Sequence, residues 1–89
     1  MYFFYIVRCK DNSLYCGQTN DLVKRVSEHN SSKTRSAKYT KIHRPVSLAY
    51  FEKFETLQSA MKREWQVKKW SKKKKEALVF GNLTLLKKL

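Results

Sequence analysis

Apolar residues crowd the start of the chain. Tyr2-Phe3-Phe4-Tyr5-Ile6-Val7 meets no charge until Arg8, and Cys9 follows. A run this short, aromatic and β-branched predicts a strand over 2–9 buried on both faces. Lys10-Asp11-Asn12-Ser13 is a turn cluster, and Leu14 to Thr19 is a second, shorter strand, so the pair forms an antiparallel hairpin. Its register decides which side chains share a face. A three-residue loop puts Tyr5 and Tyr15 together, a regular four-residue loop splits them, and a bulge at Gly17 changes the answer.

The period then lengthens. Asn20 or Asp21 caps a helix to about Asn30, with Leu22 and Val26 as its apolar stripe. Arg25 and His29 lie at the edge of that stripe and point toward the sheet, while Lys24, Ser27 and Glu28 take the wet side. Ser31 to Arg44 is a long basic loop carrying Lys33, Arg35, Lys38, Tyr39, Lys41 and Arg44, and Pro45 ends it. A loop of this length in a small domain reads as functional or mobile.

Leu48 to Phe54 is a third strand. Thr56 caps a helix to about Trp70, whose apolar stripe is Leu57, Ala60 and Met61. Glu64 falls inside that stripe, flanked by Trp65 and Val67. Ser71 caps a further helix, Lys72 to Phe80, which Gly81 ends. Leu83 to Leu89 is a short closing segment. The order β-β-α-β-α-α predicts an α+β fold, sandwich-like, with a small three-stranded, mostly antiparallel sheet against helices.

Composition adds a partner. The 89 residues, expected to form one domain, carry 20 Lys+Arg against 7 Asp+Glu, a formal net charge of +13. An excess of this size predicts a polyanion, most simply nucleic acid. A membrane surface fits less well because the basic segments lack a long apolar face. No apolar run approaches the ~18 residues of a membrane span, and the N-terminal run lacks a signal peptide's basic start and cleavage site. The expected location is cytoplasmic, with Cys9 and Cys16 as free thiols.

Individual residues leave readings open. A carboxylate on an apolar stripe is costly unless paired. Glu64 is therefore either an ion-pair partner of Lys68 or Arg25, or a ligand for a divalent cation such as Mg²⁺. Arg25 is either a structural ion pair or a phosphate clamp. His29 either sits as a cation at a helix C-terminus or orients a water or a tyrosine, or donates to phosphate. Tyr5 and Tyr15 are core aromatics by default, and a phenol needs help from a cation to do acid–base chemistry. Lys72 to Lys75 oppose the helix dipole at their helix start, which hints at service to phosphates.

Taken together, these residues resemble the GIY-YIG nuclease superfamily, over nearly the whole chain and closest to its small stand-alone bacterial members. Phe3-Phe4-Tyr5 stands for the first motif and Tyr15-Cys16-Gly17 for the second. Arg25 follows on the first helix, with His29 four residues on and Glu64 on a later helix. The sequence departs from the family pattern at Phe3-Phe4, which replaces Gly-Ile, and at Gln18, where several relatives carry lysine. Asn82 resembles a late asparagine of many members. The resemblance implies one GIY-YIG-like domain over 1–89 that hydrolyses phosphodiester bonds in DNA, in repair or recombination, with Mg²⁺ or Mn²⁺. It implies Glu64 as metal ligand, Arg25 on the phosphate, and Tyr5 or Tyr15 acting on the water with help from His29. Lys33, Arg35, Lys38, Lys41, Arg44 and Lys72 to Lys75 would grip nucleic acid. The rival reading is the same scaffold binding nucleic acid without cutting it.

Overall fold

A computed structural model describes residues 1–31 and 43–88. Among these, strands β1 (Tyr2–Cys9) and β2 (Leu14–Thr19) come first, then helix α1 (Leu22–Asn30) and strand β3 (Val46–Phe54). Helices α2 (Leu57–Lys68), α3 (Lys72–Val79) and α4 (Leu83–Lys88) follow. The fold is α+β, with one sheet of strand order β2-β1-β3, antiparallel throughout.

β1 is the central strand, which is why its side chains are buried in both directions. Phe4 and Ile6 join Cys16, Val67 and Leu78 in one apolar cluster, on the face covered by α2 and α3. Tyr5, Val7 and Cys9 join Val46 in the other, packed by Leu22 and Val26 of α1. The two thiols belong to opposite clusters and both are free. No helix among the described residues is long and apolar enough to cross a membrane.

The hairpin register is settled by its loop. The Asn12 N–H donates to the Cys9 carbonyl at 2.9 Å, and the Cys9 N–H donates to the Ser13 carbonyl at 2.8 Å. Cys9 and Ser13 therefore close a three-residue loop in which Asn12 takes the left-handed conformation (φ 71°). Asparagine tolerates that region better than most residues. Tyr5 pairs with Gly17 and Val7 with Tyr15, so both tyrosines point to the α1 face. The sheet's irregularity is not at Gly17. It lies between β1 and β3, where Ile6 pairs with Tyr50 and Val7 with Leu48, leaving Ala49 as the extra residue.

Every long helix starts on the residue the sequence marks. The Asp21, Thr56 and Ser71 side chains accept from the N–H groups of Lys24, Ser59 and Lys74. Gly81 (φ 69°) closes α3, with the Gly81 N–H on the Leu78 carbonyl and the Asn82 N–H on the Ala77 carbonyl. Asn82, exposed, then caps α4 by accepting from the Leu85 N–H.

Three expectations need correction. β3 begins at Val46, two residues early, because the Asn30 side chain clamps that residue: its Nδ2 donates to the Val46 carbonyl and its Oδ1 accepts from the Val46 N–H. α2 stops at Lys68 rather than Trp70, two residues before Ser71 opens α3. The buried face of α2 is Ala60 and Val67, while Leu57 and Met61 are more than a third exposed. Small and branched residues let α2 lie close to the sheet, so the bulkier stripe slides to its margin.

Candidate active site

Tyr5 is the centre of the site. It is 1% exposed, and its ring lies across β2 at Gly17, the only kind of residue that leaves room for it. Its hydroxyl is 2.7 Å from Nε2 of His29, which is fully buried. The Tyr15 ring meets the same imidazole edge-on, with centroids 5.5 Å apart. The hairpin register and the Asn30 clamp at the end of α1 together bring these three rings into contact.

Electrostatics sets the charge states of the Tyr5–His29 pair. Burial drives the Tyr5 phenol up to about 12, against the pull of a hydrogen bond and charge from Arg25. Burial, followed by the charge of Arg25, drives His29 down to about 4. At neutral pH the phenol keeps its proton and the imidazole is neutral. Arg25 can only donate, so the Tyr5 oxygen accepts from Arg25 and shares a second hydrogen bond with Nε2 of His29. The reading of His29 as a cation at a helix C-terminus is therefore overturned, because a fully buried ring beside a guanidinium cannot hold a second positive charge cheaply. Nor does a fully buried His29 reach a phosphate.

Arg25 is partly exposed. Burial works against its charge, but hydrogen bonds to Tyr5 and Glu28 outweigh it and hold it firmly ionised. Glu28 sits 3.3 Å from the guanidinium with its side chain 19% exposed, so it is not on the wet side as expected. The i,i+3 spacing was the available signal. A cleft of about 340 Å³ opens beside this pair, lined also by Gln18 and Lys24. Lys24, exposed as expected, supplies this cleft with a second cation.

Glu64 comes from the other layer. α2 packs against β1 and β2 from the face opposite α1. Its rotation is fixed by the next residue back: Arg63 grips the Glu52 carboxylate of β3 at 2.9 and 3.1 Å, and Tyr50 donates to the same carboxylate. Burial raises both the Cys16 thiol and the Tyr5 phenol, and the Glu64 charge adds a smaller push in the same direction to each. Its side chain is only 18% exposed, and its partner is the well-exposed Lys68 at 3.4 Å, a long contact. A largely buried carboxylate so weakly compensated fits a divalent cation. Among the described residues no three His, Cys, Asp or Glu side chains gather to cage one, so phosphate and water would have to complete the shell of a cation held by Glu64.

The structure thus brings Tyr5, Tyr15, Arg25 and His29 together on the α1 face, with Glu64 contributed by the opposite layer. Lys33, Arg35, Lys38 and Lys41 lie outside the described residues. Arg44 is half-buried, Lys72 reaches Glu76 at 4.0 Å, and Lys74 stacks over Trp70 at 4.3 Å. Lys73 is exposed and Lys75 half-buried.

A family model described as the GIY-YIG catalytic domain matches residues 1–77. This chain belongs to the GIY-YIG family. The GIY-YIG domain places it in a nuclease-like superfamily, and the matched span holds Tyr5, Tyr15, Arg25, His29 and Glu64 but ends before Asn82. The UPF0213 protein YazA of Bacillus subtilis (strain 168) is 54% identical over 78 residues, covering 88% of this chain and 77% of the relative. A UPF0213 protein of Staphylococcus saprophyticus is 49% identical over 78 residues, covering 88% and 93%. Two solution NMR structures are similar. A UPF0213 protein from Bacillus halodurans has a TM-score of 0.56 and 41% identity, covering 89% of this chain and 83% of the other. A protein from E. faecalis has a TM-score of 0.59 and 39% identity, covering 90% and 83%.

The depressed His29 makes a pH prediction for this GIY-YIG domain. Unfolded, His29 takes a proton near 6.5; folded, only near 4. Above 6.5 neither state is protonated and stability is complete. As pH falls through 6.5 the unfolded state gains its proton first, so stability is lost until about pH 4, by roughly 2–3 kcal/mol in all. Urea unfolding at pH 7.5 and pH 5 should show the loss, and His29→Gln should flatten it. The carboxyls of Glu76 and Asp11 are also held low, by hydrogen bonds from Arg8 and Ser13, but from ordinary values of 4.5 and 3.8, so they act below the pH 5 of this comparison.

Proposed function

We propose that this chain is a Mg²⁺- or Mn²⁺-dependent endonuclease that hydrolyses phosphodiester bonds in DNA. What supports the reading most is the meeting of Tyr5, Tyr15, Arg25 and His29 at the α1 side of β2, together with a weakly compensated Glu64 on α2. The net charge of +13 suits a polyanionic substrate.

Burial divides the work between the tyrosines. Tyr5 is enclosed and keeps its proton, so it positions: it holds Arg25 on one side and is held by His29 on the other. Tyr15 is half-exposed and is the phenol a water can reach. Arg25, ionised at any working pH, donates to the phosphate and releases Glu28, whose 3.3 Å contact is easily replaced. Glu64 would hold the cation, which when bound supplies positive charge to the leaving oxygen. Lys24 and Gln18 line the cleft beside Arg25, where the strand on one side of the scissile phosphate would run.

The alternative is a module that binds nucleic acid without cutting it, and the departures from the family pattern at Phe3-Phe4 and Gln18 favour it. The two readings separate in one experiment. Purified protein is incubated with supercoiled plasmid and with labelled single-stranded and branched oligonucleotides, with Mg²⁺, Mn²⁺ or EDTA. Metal-dependent nicking abolished by EDTA is expected. Salt-dependent binding with no cleavage of any substrate would establish the binding module instead.

A further inference from the structure

The two tryptophans are neighbours in sequence and opposites in setting. Trp70 is half-buried, with the Lys74 ammonium 4.3 Å and the Arg63 guanidinium 5.3 Å from its ring centroid. Trp65 is 66% exposed, a costly position for the largest apolar side chain. It ends a stripe along the margin of α2, Leu57–Met61–Trp65, all at least 38% exposed. The spacing of four residues puts them on one side of the helix.

What surrounds this stripe selects what covers it. Lys62 lines one shallow hollow against Trp65 and Met61, and Lys68 and Lys69 line another against Trp65. All three lysines are exposed. A flat apolar surface ringed by cations fits a ligand that presents flat apolar faces on an anionic backbone. The bases of a single strand do so; in a blunt duplex they are stacked on one another and closed to a side chain. A protein helix would bring apolar side chains too, but needs acidic residues to match three lysines in a chain already at +13. Glu64 precedes Trp65 directly and sits between the buried face of α2 and this stripe.

We infer that Trp65 is a stacking platform for an unpaired base of single-stranded DNA, with Lys62, Lys68 and Lys69 taking the flanking phosphates. This deepens the nuclease reading, on which it rests for the kind of polymer, by naming its substrate class as DNA with unpaired nucleotides next to the site. Stacking tolerates any base, so the platform selects strand state and not sequence.

The test is a binding measurement in EDTA, so it does not depend on cleavage. Labelled oligo-dT and a blunt duplex are titrated with the full chain and followed by anisotropy, with inorganic polyphosphate as a competitor that has charge and no bases. Trp65→Ala should weaken oligo-dT binding roughly tenfold and leave the duplex and polyphosphate affinities within about twofold. Trp65→Phe should recover most of the loss, and in Trp70→Phe the remaining tryptophan emission should be quenched by oligo-dT but not by polyphosphate. Because Trp65 is exposed, the thermal midpoint should hold in the variants; if Trp65→Ala does not fold, the Trp65→Phe and quenching results decide. Equal losses on oligo-dT and duplex, or unquenched emission, would overturn the inference. So would a dimer, seen by sedimentation, that Trp65→Ala dissolves, because the stripe would then be an interface between copies. If the parent cleaves DNA while Trp65→Ala binds and cuts as well as it does, the platform fails and the nuclease reading stands. If binding follows the expected pattern and nothing is cut, the reverse holds.

Discussion

Gly17→Ala is expected to lower stability by about 1–3 kcal/mol, the cost of forcing atoms into a packed core, and to free His29 to titrate. A Cβ built at Gly17 lies 2.6 Å from Cζ of Tyr5 and 3.0 Å from Cε2, and closer still to the hydroxyl. A buried aromatic ring between Val7, Cys9 and α1 has no rotamer into which to retreat, so the ring or the strand must shift. Either shift takes the hydroxyl away from Nε2 of His29. Two readouts check this. The urea midpoint should fall, and histidine NMR should show one imidazole titrating well above pH 4. Gly81→Ala is the control. Nothing lies within 4 Å of a Cβ there, so only its left-handed backbone (φ 69°) is taxed, about 1 kcal/mol, and His29 should not respond. Tyr5→Phe should not rescue Gly17→Ala, since the ring carbon remains in the way. Retention of wild-type stability and of the His29 shift in Gly17→Ala would show that Tyr5 does not lie across this residue.

The glycine of the second motif is thus a packing requirement of the tyrosine of the first, and this link was not legible in the chain. The strands, caps and turn residues were. Asp21, Thr56, Ser71 and Gly81 act where the sequence marks them because each satisfies backbone groups within a few residues of itself. The register of Tyr5 against Tyr15 hung on a single backbone choice, whether Asn12 turns left-handed, and both loop lengths are open to Lys-Asp-Asn-Ser. A helical wheel gives the direction of His29 but not its depth, which comes from the Asn30 clamp to Val46, sixteen residues away. The same limit misplaced the α2 stripe. Periodicity finds the apolar side of a helix, whereas close approach of Ala60 and Val67 decides which part is covered.

Glu64→Gln is expected to abolish metal-dependent cleavage, with a loss of at least about 10²–10³-fold, the scale for removing one transition-state charge stabiliser. The substitution keeps size and one acceptor oxygen and removes the charge that would hold the cation. The fold should survive it. What the carboxylate gives up is one 3.4 Å contact with a lysine more than half exposed, worth a few tenths of a kcal/mol at most. The rotation of α2 rests on Arg63 and Glu52, which are untouched. Stability and activity should therefore part: an unchanged thermal midpoint, unchanged oligonucleotide affinity in EDTA, and nicking rates near background in both Mg²⁺ and Mn²⁺. Isothermal titration with Mn²⁺ in the presence of an uncleavable oligonucleotide should show heat with the parent and none with Glu64→Gln. Cleavage that persists in Glu64→Gln would move the metal away from α2 or expose a contaminating nuclease. Without metal a carboxylate has only repulsion to offer a phosphate, so a loss of oligonucleotide affinity in EDTA would instead mean that Glu64 accepts hydrogen bonds from a base or sugar as part of the binding surface.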